Sequence, residues 1–134
     1  MLEDTRILIA CDRDVVSARQ QGRAVALQAG FSVAEATLIA TAISELARNI
    51  VSYAQQGSVT LKPIQGVNGS GGLTIVATDS GPGIVDLNQA LRDGFSSAGG
   101  LGLGLPGVRR LMDEFDIVSP AGGGTTVTVT KWRT

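Results

Sequence analysis

The sequence predicts an α+β fold, a two-layer α/β sandwich in which a mixed and mostly antiparallel sheet is covered by helices on one face. Two observations support this prediction. Apolar residues recur at helical spacing in the first half of the chain, whereas alternating apolar and polar residues dominate the second half. Most of the predicted strands follow one another through short turns, an order that favours antiparallel pairing. The 134 residues suffice for one domain with a single core.

A strand and a helix are predicted at the N-terminus. Residues 7–10 form a short apolar run typical of a strand, and Asp12 or Asp14 is a candidate N-cap for the helix that follows. Gly30 stands where glycine commonly ends a helix. The exposed side of this helix is polar and basic, so it is either a solvated face or a docking surface for a partner.

The second helix has the clearest periodicity in the chain. It is predicted to begin after Ser32, because Ser32 and Glu35 form a capping-box pattern. Apolar side chains then recur at intervals of four and three residues and mark a continuous core stripe. The members of this stripe are Ile39, Ile43, Leu46, Ile50 and Tyr53. Glu45 and Asn49 lie one turn apart beside the stripe, so we expect both to be half-buried at the edge of a cleft.

The second half of the chain alternates as strands do. Residues 59–64 and 73–77 are separated by a glycine-rich turn and are predicted to form a β-hairpin. Pro63 indicates that the first of these strands is bulged or lies at an edge. The remaining predicted elements are a helix from Leu105 or Pro106 to about Glu114 and strands at 115–118 and 125–132.

Composition excludes several kinds of function. The chain contains no histidine, which rules out serine triads, histidine bases, most zinc sites and a phosphohistidine relay within it. A net charge of −1 argues against a general nucleic-acid binder. Neither a secretory signal nor an apolar stretch of about 20 residues is present, so we expect a cytoplasmic protein. Cys11, the single cysteine, is predicted to be a buried or half-buried structural thiol.

Glu45 and Asn49 form the first of four motifs that suit different parts of a nucleotide. At i, i+4 spacing the two side chains can point at the same small volume. There the amide oxygen can ligate Mg²⁺, and the carboxylate can accept a proton from an attacking nucleophile. The plainer alternatives are a surface glutamate and a hydrogen-bonded asparagine, but the position beside the core stripe weakens them.

Asp79 begins the second motif, directly after an apolar strand. Its carboxylate can accept a hydrogen bond from an amino group such as that of adenine, while Gly81 and Gly83 let the backbone turn tightly beside a flat base. An ordinary β-turn is the alternative reading of this segment.

The third motif is a run of alternating glycines before the third predicted helix. Backbone N–H groups at such a helix start can hold phosphate oxygens. The preceding segment is not a strand, which disfavours a Rossmann fingerprint, and no Gly-Lys-Ser/Thr follows as a P-loop requires. The residues of this run assigned to nucleotide binding are Gly100, Leu101, Gly102, Leu103 and Gly104.

The order of these motifs, completed by Thr125 after a last glycine turn, resembles the nucleotide site of the GHKL, or Bergerat-fold, ATP-binding superfamily. The resemblance covers nearly the whole chain. It implies that Glu45 is the general base and Asn49 the Mg²⁺ ligand. It also implies that Asp79 binds adenine, that Thr125 assists there, and that residues 84–99 correspond to a flexible lid.

The length of the chain and the residues that follow Asn49 narrow the resemblance to one group within the superfamily. Residues 1–134 are expected to form a single kinase domain, with neither a phosphoacceptor-histidine helix nor a further module. The chain is thus similar to the stand-alone serine/threonine kinases of bacterial partner-switching systems, and most similar to the RsbT family of stressosome switch kinases. Ile50 and Tyr53 stand where many relatives carry alanine and histidine, which favours the RsbT family over sigma-binding kinases.

The resemblance also implies substrates and partners. It implies that the kinase uses ATP and Mg²⁺ to phosphorylate a STAS-domain antagonist of the RsbS kind, and that it then binds and activates a PP2C-type phosphatase of the RsbU kind. Three alternatives stay open: an anti-sigma factor kinase, a nucleotide-gated binding module without transfer, and a detached histidine-kinase catalytic domain. Arg109 and Arg110 are either surface charge or groups that reach a γ-phosphate or a partner.

Overall fold

The computed structural model describes residues 3–66, 69–81, 104–120 and 122–133. Within these segments the helices and strands are β1 (Thr5–Ile9), α1 (Asp12–Gln28), α2 (Val33–Tyr53), β2 (Gly57–Gln65), β3 (Gly71–Asp79), α3 (Gly104–Leu111), β4 (Glu114–Val118) and β5 (Thr125–Trp132). No helix in the described segments combines the length and the apolarity that a bilayer crossing requires.

The strands form one five-stranded sheet in the order β1-β2-β3-β5-β4. The α+β sandwich is therefore confirmed, although every pairing among the described strands is antiparallel and none is parallel. β5 lies between β3 and β4, so Asp79 at the end of β3 faces Thr125 at the start of β5. β2 lies between β1 and β3 and pairs with β3 in continuous register, so the prediction of a bulged or edge strand at Pro63 was wrong. Proline is tolerated there because β1 pairs with β2 only as far as Leu61, and Pro63 pairs with β3 alone.

The core lies between one face of the sheet and α2. Alternate strand residues on that face are buried, and α2 contacts α1, α3 and the central strands. Four members of the predicted stripe of α2 are buried, but Tyr53 is 51% exposed and its assignment to the core was wrong. Ala54, the cap residue that follows α2, is half-buried and packs against Gly81.

The start of α1 differs from the prediction. Its N-cap is Cys11, whose side chain makes no capping bond, and Asp12 is the first helical residue. Asp14 instead accepts the backbone N–H of Ala10 at 2.8 Å. Cys11 is exposed, so the prediction of a buried or half-buried thiol was wrong; the residue stands outside the core, between an edge strand and the helix.

The junction between α1 and α2 follows the sequence signals. Gly30 has a φ of +96°, and its N–H donates to the carbonyl of Leu27, which ends α1. The hydroxyl of Ser32 accepts the N–H of Glu35 at 3.1 Å and so caps α2.

The third helix is shorter than predicted because its expected last residues bind a strand. The backbone N–H of Trp132 donates to Asp113, and its indole N–H donates to Glu114, both at 2.7 Å. These bonds hold the chain beside β5, so α3 ends at Leu111 and β4 begins at Glu114.

Candidate functional site

The site residues that the structure describes form two groups along the C-terminal half of α2. One group surrounds Asp79 at the end of β3, where Gly81 packs against Ala54 just beyond α2. The other surrounds Glu45 in the middle of the helix. At a rise of about 1.5 Å per residue, roughly 14 Å of helix axis separates Glu45 from Ala54. The groups thus lie side by side along one helix.

Asp79 accepts two backbone hydrogen bonds on a single carboxylate oxygen. Its Oδ1 accepts the N–H of Gly81 at 2.9 Å and the N–H of Thr125 at 3.2 Å. No described residue donates to Oδ2 in addition. The two bonds to Oδ1 fix the orientation of the half-buried side chain, and Oδ2 keeps its acceptor capacity as far as the described residues are concerned. The arrangement suits recognition of an amino group such as that of adenine.

Glycine at position 124 allows the close approach of β5 to Asp79. Gly124 has a φ of +82°, and a Cβ at this position would overlap the carbonyl oxygen of Asp79. Gly81 is similarly tight, because its Cβ would lie 2.7 Å from that of Ala54. Side chains at either position would move the backbone whose N–H groups hold the Asp79 carboxylate.

Thr125 contacts Asp79 through its backbone, and its hydroxyl binds another residue. Its Oγ1 lies 2.7 Å from Oγ of Ser119, and this serine also donates to the carbonyl of Gly124 at 3.4 Å. Sequence reasoning missed Ser119, because its place beside Thr125 depends on the β4–β5 hairpin. The available signal was a serine just before the glycine turn that precedes Thr125.

Glu45 is more deeply buried than predicted, and both of its carboxylate oxygens accept hydrogen bonds. The residue is only 4% exposed. Oε1 accepts Nη1 of Arg48 at 2.7 Å, and Oε2 accepts the backbone N–H of Gly104 at 3.3 Å. A buried carboxylate needs such partners to offset the loss of hydration. Arg48 was missed in the sequence, although its i, i+3 spacing from Glu45 is a known pairing distance.

Gly104 connects the predicted base with the predicted phosphate-binding helix. It is the first residue of α3, has a φ of +66°, and is buried. Its N–H is one of the groups at a helix start that no residue of the same helix can satisfy. The Glu45 carboxylate takes this position, so α2 and α3 are joined at the site.

Asn49 lies one turn beyond Glu45 and is half-buried, as predicted. Its side chain makes no hydrogen bond to another residue in the described segments, whereas both oxygens of the neighbouring Glu45 are occupied. An amide oxygen on a rigid helix that no described residue occupies is a suitable Mg²⁺ ligand.

Several predicted site residues lie outside the described segments. These are Gly83, Gly100, Leu101, Gly102, Leu103 and the predicted lid at 84–99. Arg109 and Arg110 are described and are both exposed near the end of α3. The structure therefore brings Glu45 together with Gly104, and Asp79 together with Gly81 and Thr125.

Comparison with protein families and sequences gives consistent matches. A family model described as a histidine kinase-like ATPase domain matches residues 9–131. The chain is 48% identical over 132 residues to serine/threonine-protein kinase RsbT of Bacillus subtilis (strain 168), covering 98% of each chain. It is 29% identical over 118 residues to anti-sigma F factor of Thermoanaerobacter sp. (strain X514), covering 86% of this chain and 82% of that protein.

Solved structures share the fold at lower identity. The RsbU and RsbW domains of a Mycobacterium tuberculosis protein match 99% of this chain with a TM-score of 0.64 and 20% identity, and the match spans 34% of that longer chain. The mycobacterial sensor histidine kinase MprB matches with a TM-score of 0.55 and 19% identity over 99% of both chains. At these identities the likeness concerns the fold alone.

Proposed function

The chain belongs to the histidine kinase-like ATPase family, and on this basis we propose that it is an ATP-dependent protein serine/threonine kinase of the RsbT type. The observation that carries the proposal is 48% identity to a serine/threonine-protein kinase over 98% of both chains. The buried Glu45, held between Arg48 and the start of α3, supports it with a carboxylate at the point where transfer would occur. Residues 1–134 then form one kinase domain.

In this proposal the Asp79 group binds adenine. Oδ2 of Asp79 accepts the adenine amino group, while Thr125 and Gly81 hold Oδ1 in place through their N–H groups. Gly104 belongs to the helix start that would face the phosphates, together with the glycine run before it. Asn49 would hold Mg²⁺, which neutralises charge on the phosphates when bound.

Transfer then needs a hydroxyl on a partner protein. Glu45 takes the proton of a serine or threonine hydroxyl, and the hydroxyl oxygen forms a bond to the γ-phosphorus of ATP. The bond between that phosphorus and the β–γ bridging oxygen breaks, and ADP leaves with its electron pair. The products are a phosphorylated partner protein and ADP.

The partner would be a STAS-domain protein of the RsbS kind within a cytoplasmic partner-switching system. Once released by phosphorylation, the kinase would bind and activate a PP2C-type phosphatase of the RsbU kind. The close similarity to RsbT supports both parts of this proposal.

A second candidate is an anti-sigma factor kinase that binds a sigma factor. The similarity to anti-sigma F factor favours it, at 29% identity. Ile50 and Tyr53 differ from the alanine and histidine of many such kinases, and the higher identity to RsbT supports the first candidate.

Phosphotransfer to purified STAS proteins tests the proposal. The protein, Glu45→Gln and Asn49→Ala are each incubated with Mg·ATP and a STAS protein, and phosphoserine and phosphothreonine are measured. We expect transfer by the unchanged protein and loss of transfer in both variants. Asp116→Asn, which changes an exposed carboxylate on β4, is the matched control and should remain active.

Each outcome bears on a different part of the proposal. Transfer that persists in Glu45→Gln would refute the assigned base. Intact ATP binding without phosphorylation of any STAS protein would instead favour a nucleotide-gated binding module. A binding partner found among sigma factors would favour the anti-sigma candidate.

A further inference from the structure

Both carboxylate oxygens of Glu45 already accept hydrogen bonds in the arrangement that the structure describes. Its Oε1 accepts a hydrogen bond from the charged Arg48 guanidinium at 2.7 Å. Arg48 thus covers one acceptor position of Oε1, and a hydroxyl that approaches from the same side has to displace it.

The two hydrogen-bond donors to Glu45 differ in how easily they can move away from its carboxylate. Gly104 donates from the backbone of a buried helix start, so its bond to Oε2 holds the carboxylate in place. Arg48 donates from a long side chain that is 41% exposed, whereas the side chain of Glu45 is 5% exposed. The guanidinium can turn towards solvent or a ligand, but the carboxylate cannot. Gly104 is thus the fixed partner and Arg48 the exchangeable one.

The helix places Arg48 beside the expected position of the phosphates. At about 100° per residue, Arg48 and Asn49 flank Glu45 at roughly −60° and +40° around α2. A phosphate bound through Mg²⁺ at Asn49 would therefore lie close to both Glu45 and Arg48. The guanidinium of Arg48 has N–H groups left with which to bind it. Arg48 uses one N–H group on Glu45, and a guanidinium carries five.

We propose that Arg48 is a latch that holds Glu45 in the absence of ATP and transfers to the terminal phosphate when ATP binds. The terminal phosphate competes for the guanidinium, because it carries more negative charge than a carboxylate and accepts paired hydrogen bonds. Movement of Arg48 then uncovers the occupied side of Oε1 only when a transferable phosphate is present. This role rests on the proposed kinase function, but it makes predictions about nucleotide binding alone.

Equilibrium binding tests the latch without a protein substrate. The probes are Mg·ADP and the Mg²⁺ complex of an ATP analogue with a β,γ-imido bridge. Glu45→Gln removes the charge that competes for Arg48, so we expect it to bind the ATP analogue several-fold more tightly and ADP with unchanged affinity. Arg48→Gln should bind the ATP analogue about tenfold more weakly, again without a change for ADP.

The double variant protects the test against misfolding. Arg48→Gln alone leaves a buried carboxylate with one partner and can destabilise the fold. Glu45→Gln/Arg48→Gln removes that charge, and it should lose the tighter binding of the ATP analogue seen in Glu45→Gln. Arg23→Ala, which removes an exposed arginine of α1, is the control for a general loss of positive charge.

The results separate the latch from the kinase proposal. Equal effects of Arg48→Gln on both nucleotides, or no effect on either, would overturn the latch and leave Arg48 as a structural partner of Glu45. An effect confined to the ATP analogue would support the latch. That result would stand even where no STAS protein is phosphorylated, an outcome that would count against the proposed function instead.

Discussion

Asp79 allows the structural and nucleotide-binding roles of one side chain to be separated. Oδ1 accepts two backbone N–H groups, from Gly81 and Thr125, and Oδ2 is the oxygen proposed to meet adenine. Asp79→Ala removes both functions. Asp79→Asn retains an oxygen that can accept the two N–H groups, but it replaces the other oxygen with an NH₂ donor.

The expected magnitudes follow from these contacts. In Asp79→Ala, two N–H groups lose their acceptor at about 1–3 kcal/mol each when buried, and water reaching this half-buried site reduces the sum to about 2–3 kcal/mol. Asp79→Asn should lower the free energy of unfolding by less than about 1 kcal/mol. Its NH₂ group would face the adenine amino group, donor against donor, which should weaken ATP binding at least about thirtyfold.

Urea denaturation and equilibrium ATP binding measure the two effects independently. Asp116→Asn, at an exposed position, is the matched control and should change neither quantity. Unchanged ATP affinity in Asp79→Asn would refute Oδ2 as the adenine acceptor. Equal destabilisation by alanine and asparagine would show that the bonds to Oδ1 do not hold this part of the sheet together.

Two further predictions concern stability, both measured by urea denaturation. Gly124→Ala should destabilise the protein by about 3 kcal/mol or more, because a positive φ and a clash with the Asp79 carbonyl coincide there. Gly122→Ala, with φ +73° and open space, should cost only about 1–2 kcal/mol, and equal losses would refute the clash. Ile39→Ala should cost about 2–5 kcal/mol because Ile39 is fully buried. Leu38→Ala, at 41% exposure, is its control and should cost far less.

Elements with strong local signals were predicted well. The last strand, 125–132, was predicted with the bounds that the structure has, because threonine and valine alternate there after a glycine turn. The Ser32 cap and the Gly30 helix end are likewise present. Each depends on a few neighbouring residues whose backbone preferences act over one or two turns.

Two predictions about the depth at which a side chain of α2 is buried were wrong. Tyr53 continued the apolar spacing of α2, but the described core stops short of its ring and Tyr53 is half exposed. Glu45 was expected at the rim of a cleft, yet it is nearly inaccessible to solvent. Periodicity identifies which side of a helix is apolar, but the depth of each position depends on what packs against it.

The sequence alone determined which residue types a nucleotide site would use and in which order they occur. It could not determine which of them meet. Glu45 and Gly104 are 59 residues apart, and Asp79 and Thr125 are 46 apart. The first contact depends on α3 packing against α2, and the second on β5 entering the sheet beside β3. Local patterns specify helices and strands, whereas strand order and helix packing arise from burial of the whole core. Only the tertiary structure therefore decided that Arg48 and Gly104 both donate to the carboxylate of Glu45.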